Sequence, residues 1–430
     1  MAGQAAQPPP APEVLCRDVR VFDARSAALS SPTSVLVRGN RVAAIGAGAV
    51  PANPAVTIID GGGCTLMPGL IDAHVHIMFA TIPQLAVLTG DIGFVNVAAA
   101  KAANDLLLRG FTSIRDLGGP VFGLKQGIDA GLVAGPRIWP SGAFISQSGG
   151  HGDFRLPNDM PARPGDFTYS ERVGAAAIAD DPDIVRKRAR EQIALGASQI
   201  KLMAGGGVTS NYDPLDVTQY TVPELRAAVE AAENWGTYVT VHAYTPRAVR
   251  QSIEAGVRCI DHGQLLDEDT VKLLAEKDVW LSLQALDEAP PTAAASTREK
   301  KHQVVVGADK AFKWAIKHRV KLAWGTDFLF TPANNKNQTA DIVKLTQWMT
   351  PAQVLKLVTH DNAQLLALSG PRNPYPGRLG VVEEGALADL LLVDGDPLAK
   401  IDLLRDPGTT FVVIMKDGRV YKNLVGPAPR

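Results

Sequence analysis

The sequence predicts an α/β protein, a (β/α)8 TIM barrel carrying a small β-sandwich domain formed from both chain ends. Three observations lead there. The centre of the 430-residue chain alternates apolar strand-like runs with helical patterns, and such alternation yields parallel strands joined by helical crossovers. The two ends have a different texture, short Val/Ile-rich runs broken by Gly, Asn and Pro. The length exceeds one average domain and suits a barrel of about 300 residues with an appendage. A doubly wound open sheet is the alternative for the centre.

Residues 1–13 open with MAGQAAQPPPAP, which lacks the charged start and apolar core of a signal peptide. They are expected to form a disordered, extended leader. The other reading is the mature start of an exported protein, so location stays open between cytoplasm and export. Residues 14–69 carry VLCRDVRVFDA, SVLVRGNRVAAIG and AVTIIDGGGCTLMPG, and residues 371–430 answer with ADLLLVDGDP and TTFVVIMKDGRVYKN. This mirrored composition predicts one composite β domain. In the barrel region, 70–370, eight strands are expected at 70–76, 112–117, 137–143, 199–203, 238–244, 258–263, 279–285 and 321–328. Helices are expected at 98–109, 183–196, 222–235, 246–256, 267–277 and 299–318. The stretch 144–182 is long and poorly periodic and reads as an extended loop over a site.

Composition excludes several classes. With 43 basic and 44 acidic side chains the chain is near neutral, so neither nucleic acid nor a membrane surface is an expected partner. No run approaches the ~20 apolar residues of a membrane-spanning helix. Cys16, Cys64 and Cys259 lie far apart, against a disulfide framework or a thiolate metal cluster.

The chemistry gathers at strand ends. His74 and His76 close the first expected strand, and residues two apart on a strand face one side, so both imidazoles point together while Ile71, Ala73, Val75 and Ile77 pack outward. Two neutral imidazoles make half a site for a divalent cation. Lys201, between Ile200 and Leu202, faces inward, where burial lowers the pKa of its amine and permits reaction with CO₂ to a carbamate; an internal salt bridge is the plainer role. His242, His262 and Asp327 end the fifth, sixth and eighth strands. Six metal-compatible side chains at the C-terminal ends of five strands occupy the face where barrel active sites lie. Two more residues stand out as substrate-contacting candidates. Tyr244 shares a strand face with His242, and His151 sits between glycines in SQSGGHGD. His302 and His318 read as solvated, and His360 as lying at a helix start capped by Thr359 or Asp361.

The set His74/His76, Lys201, His242, His262 and Asp327, with MPGLIDAHVH, IKLMAGGGV, VHAY, DHG, GTDF and ADLLLVDGDP around it, resembles the binuclear metal-dependent amidohydrolase superfamily. The resemblance spans about residues 14–422 and points to the imidazolonepropionase-like branch, which includes Xaa-Pro and Xaa-Arg dipeptidases and ochratoxin-hydrolysing amidases. It implies two divalent metal ions, with His74 and His76 on the more buried one, His242 and His262 on the other, carbamylated Lys201 bridging them, and Asp327 on the first. His and carboxylate donors fit Zn²⁺ best, while the affinity order leaves Co²⁺ and Mn²⁺ open. The implied chemistry is attack of a metal-bridging hydroxide on the scissile carbonyl, with Asp327 passing the proton to the leaving nitrogen.

The apolar run IMFATIPQLAVL after His76 and the 144–182 loop can wall a hydrophobic pocket. The expected substrate is therefore a small peptide-like amide, either a dipeptide or an N-acyl aromatic amino acid such as ochratoxin A. A cyclic amide or imidazolone ring hydrolase is the alternative enzyme, and a non-catalytic binding barrel the alternative class. Analogy with the branch adds a homo-oligomer, up to an octamer.

Overall fold

The computed structural model describes residues 11–156, 166–210, 212–330 and 332–426. Residues 1–10 of the expected leader lie outside the described residues. The first strand already begins at Glu13.

Both chain ends build one sheet. Strands β1 (Glu13–Val21), β2 (Thr33–Arg38), β3 (Arg41–Ile45), β4 (Thr57–Asp60) and β5 (Thr65–Pro68) come from the N-terminal side. Strands β16 (Leu390–Val393), β17 (Phe411–Lys416) and β18 (Arg419–Asn423) come from the C-terminal side. The order is β18-β17-β16-β5-β1-β2-β3, with β4 also on β1. The junction between the ends is β5 against β16, antiparallel, pairing Leu66 with Leu392 and Pro68 with Leu390. In β1 the buried set runs Val14, Cys16, then Val19 and Val21. That phase change follows from a register shift between Cys16 and Val19 and a left-handed Asp18 at φ 51°. An inserted residue of this kind lets one strand keep the same face buried on both sides of a bulge.

Among the described residues the centre holds ten parallel strands in two arcs. One contains β6 (Leu70–Val75), β7 (Phe111–Asp116) and β8 (Arg137–Pro140). The other follows β10 (Ala176–Ile178), β9 (Phe144–Ser146), β11 (Ile200–Met203), β12 (Val239–Ala243), β13 (Cys259–His262), β14 (Trp280–Leu283) and β15 (Leu322–Trp324). All eight expected runs are met by a strand: β7 is shifted by one residue from its run, and the other seven are shorter than theirs. Residues 144–182 depart from expectation. They supply β9, β10 and the short helix Tyr169–Arg172, elements of three or four residues, too short for periodicity to register. Residues 157–165 of that stretch lie outside the described residues.

Side-chain and backbone bonds span the gaps between the arcs. Ser198 donates its N–H to the Pro140 carbonyl at 2.7 Å, and the Gln199 amide donates to the Trp139 carbonyl at 2.9 Å. On the other side the buried Asn362 side chain donates to the carbonyls of Ile71 (2.7 Å) and Trp324 (2.8 Å) and accepts from Trp324 N–H (3.0 Å). Asn362 thus ties β6 to β15. Asn362→Leu leaves three backbone groups in this buried position unpartnered, so we expect about 3 kcal/mol lower stability, read from the urea midpoint. A shift below 0.5 kcal/mol would refute the clamp.

Two local expectations are corrected. Ala73 does not pack outward: it joins Tyr238, Cys259, Trp280 and Ala323, because pairing with β7 slips between Asp72 and Val75. His360 does not start a helix. It lies within a π-helical turn, Leu357–Asp361, in a continuous helical run, and Thr359 donates to the Leu355 carbonyl instead of capping.

Candidate active site

The strands deliver their polar side chains to one end. Along β12 and the residue on either side of it, Tyr238, Thr240, His242 and Tyr244 are two apart and share the inner face. Asp261 pairs in register with His242 across β13 and therefore points inward as well. Simple alternation would send the next residue, His262, to the outer face. Instead the chain turns left-handed there, φ 84°, and the ring comes to 4.3 Å from that of His242 and 4.9 Å from that of His74, centroid to centroid. Asp327 is left-handed too, φ 54°, with its N–H on the His74 carbonyl at 2.9 Å. Non-glycine residues in this conformation cost about 1–3 kcal/mol and cluster at functional sites.

Asp327 Oδ1 lies 3.2 Å from His74 Nε2 and 3.3 Å from His76 Nε2. Ligand atoms of His74, His262 and Asp327 fall within 4.8 Å of one another, a grouping able to hold a cation. His242 adjoins them through His262, and its Nε2 is 2.9 Å from the Gly206 carbonyl oxygen. Burial lowers the pKa of His74 to about 4 and of His262 to about 3, and takes His242 well below the usual range. These imidazoles are neutral near pH 7, the form that binds metal. Among the described residues, the buried His74 Nδ1 and His76 Nδ1 have no hydrogen-bond partner. Asp261 Oδ1, at 3.6 Å from His74 Nδ1, is beyond hydrogen-bonding range.

Beneath this ring lies a charge cluster. Lys201 Nζ donates to Asp261 Oδ2 at 2.6 Å, Arg115 Nη2 to Asp261 Oδ1 at 2.6 Å, and Thr240 to Oδ2 at 2.7 Å. Burial opposes a charged Asp261, but Lys201 and Arg115 outweigh it and hold the carboxyl well below the usual range. Burial also lowers Lys201, partly offset by Asp261. Arg115 and Asp261 went unnoticed in the sequence. The signal was available: each is a charged residue inside an apolar strand, the same criterion that singled out Lys201. Asp72 was missed as well. It accepts from the N–H groups of His74 (3.1 Å) and Thr326 (3.0 Å) and from the Thr326 hydroxyl (2.7 Å), joining the first and last ligand segments.

The two substrate-contact candidates lie beside the ring. His151 stacks on His242 at 4.0 Å with 21° between planes. Its Nδ1 is 2.9 Å from Ser210 Oγ and 3.4 Å from Asp213 Oδ2. Tyr244 is buried, 5.0 Å from the His242 ring. Glycine is required nearby: a Cβ at Gly207 would meet the His151 ring at 1.8 Å, and one at Gly325 would meet His74 N at 2.3 Å. On the β6 side an aromatic series runs Phe79, Phe330, Phe154 and Phe144, with successive centroids 5.7–5.8 Å apart. His302 and His318 stay outside the ring, paired with Glu288 and Glu268.

Parallel strands with a possible metal-binding cluster where the strands end define an α/β protein with a candidate metal centre. Residues 65–425 match the amidohydrolase family, and the chain belongs to that family of hydrolases acting on carbon–nitrogen amide bonds. It is 30% identical over 392 residues to ochratoxinase of Aspergillus niger, covering 84% of this chain and 77% of that protein. Among solved structures, an amidohydrolase superposes with TM-score 0.85 at 34% identity, covering 96% of this chain and 99% of its own. A prolidase complexed with N-methylphosphonate-L-proline superposes with TM-score 0.86 at 32% identity, covering 96% and 100%.

Proposed function

We propose that the protein is a metal-dependent amidohydrolase that cleaves a peptide-like amide, either a dipeptide or an N-acyl aromatic amino acid such as ochratoxin A. The observation that carries this reading is the convergence of His74, His76, His242, His262 and Asp327, with Asp327 Oδ1 within 3.3 Å of Nε2 of both His74 and His76. The similarity to a prolidase and to ochratoxinase supports the substrate class. In this reading the two arcs close into the (β/α)8 barrel and the end strands form its composite β domain.

The donor set suits divalent cations, Zn²⁺ above all, and cations held there supply Lewis acidity and acidify water. His74, His76, His242, His262 and Asp327 would hold them, with Lys201 between. A carbamate on Lys201 would place an anion beside Asp261 and leave Arg115 as that carboxylate's counter-ion. Asp327 takes the proton of the attacking water on its carboxylate and delivers it to the leaving nitrogen. His151, its Nδ1 turned to Ser210 and Asp213, presents Nε2 to the substrate, and Tyr244 offers its phenol; burial raises the Tyr244 pKa, so the phenol stays a donor. The phenylalanine series shields the apolar part of the substrate from water.

The test is metal analysis joined to a substrate panel. We expect about two divalent ions per chain, loss of amide hydrolysis on chelation, and recovery on adding Zn²⁺, with Co²⁺ and Mn²⁺ as comparisons. Less than about one ion per chain after zinc-replete expression would remove the metal reading. Opening of lactam rings with rejection of linear N-acyl amino acids would overturn the substrate class.

A further inference from the structure

The 23-residue helix Ala295–Lys317 packs against β14 and reaches the Tyr244 side of the site through Val304. Its inner face carries Val304, Ala308, Ala311 and Ala315, all buried. Val304 belongs to a cluster with Tyr244 and Leu215. Gly307 lies so close to the turn after β13 that a Cβ would meet the Gln264 carbonyl at 2.2 Å. Lys301 is three residues before Val304 and seven before Ala308, so it shares this inner face at the end nearest Tyr244.

The cations around the site are otherwise committed. Lys201 and Arg115 share Asp261. Lys300 donates to the carbonyls of Gly207 (3.0 Å), Ser210 (3.4 Å) and Asp213 (2.8 Å), pinning the loop that orients His151. Arg155 is held by Asp153, and Lys344 lies between Asp287 and Asp341. Lys301 differs. It is only partly exposed, and among the described residues it makes neither a hydrogen bond nor an ion pair. The carboxylates within its electrostatic reach, Asp327, Asp287 and Asp341, are engaged by His74 and His76 or by Lys344. An ammonium so placed has three donors and no acceptor among the described residues, and half-burying one without a partner is unfavourable unless an anion arrives.

We infer that Lys301 is a specificity-determining residue that receives the free carboxylate of the substrate's C-terminal residue. The inference rests on the amide-hydrolase reading above and deepens it. It divides the substrate between two walls, the anionic end toward Lys301 and Tyr244, and an apolar side chain toward Phe79, Phe330 and Phe154. A substrate lacking the carboxylate would leave Lys301 as it stands now, so selectivity for acids over neutral analogues follows.

The test compares N-benzoyl-L-phenylalanine with its methyl ester, following amide cleavage of each by the full chain, native and Lys301→Met. The native protein should prefer the acid, and Lys301→Met should lower kcat/KM for the acid about 10- to 100-fold with less than about 3-fold change for the ester. The effect should fall mainly on KM, and Lys301→Arg should restore most of the preference. Because the readout is a ratio between substrates, partial unfolding of the variant cannot mimic it. An unchanged acid-to-ester ratio, with the native chain active, would overturn the inference alone. Absence of amide cleavage of both compounds and of a dipeptide panel by the metal-loaded native chain would instead remove the reading on which it rests.

Discussion

Asp327→Asn is expected to lower kcat by about a thousandfold, within the 10²–10⁴ range of a lost acid–base group, while the chain stays folded. The substitution isolates the charge. Asp327 occupies a left-handed backbone conformation, which Asn tolerates about as well as Asp, and its N–H bond to the His74 carbonyl does not depend on the side chain. What changes is the oxygen between His74 Nε2 and His76 Nε2. An amide there neither accepts a proton nor offers an anionic ligand. Steady-state kinetics with metal analysis and a melting curve separate the outcomes. Loss of rate with metal retained assigns Asp327 to proton transfer, and loss of both assigns it to holding the cation. More than about a tenth of native kcat would eliminate both roles.

The second large effect concerns stability. Asp261→Asn should cost about 3–5 kcal/mol, the penalty for removing one partner of a fully buried ion cluster. Asp261 is the common acceptor for Lys201, Arg115 and Thr240, and all three charged members are essentially without solvent contact. In the metal-free chain with Lys201 unmodified, removing its charge leaves the Lys201 ammonium and the Arg115 guanidinium facing each other in a low-dielectric interior. Urea unfolding of Asp261→Asn, Arg115→Met and the double variant forms a cycle. The double variant should recover part of the loss, because it deletes one of the stranded cations. A loss below 1 kcal/mol in the single variant would show that Asp261 is not the counter-charge of the cluster.

The composite sheet and the parallel strands were readable because both depend on local pattern. Val14 and Cys16, or Leu390 and Leu392, alternate with a period of two, and His74, Lys201 and His242 stand in apolar runs where a polar side chain must face something built to receive it. Other features left no local trace. The three-residue strands β9 and β10 are set by pairing with each other and with β11, not by their own composition. The inward turn of Ala73 comes from a register slip against β7. Arg115 and Asp261 were visible as charged residues in strands, yet only their distance to Lys201 gives them a role.

The sequence by itself determined which residue types sit at the strand ends, because alternation and burial are properties of neighbours along the chain. It therefore named His74, His76, Lys201, His242, His262, Asp327, Tyr244 and His151 as candidates. Tertiary structure decided their relations. It placed Asp327 between two imidazoles and tied Lys201 to Asp261. It also turned His262 back toward the site through a left-handed residue and left Lys301 without a hydrogen-bond or ion-pair partner among the described residues. Those relations join residues tens to hundreds of positions apart, and a contact across that separation is set by how helices and strands pack, which no local periodicity encodes.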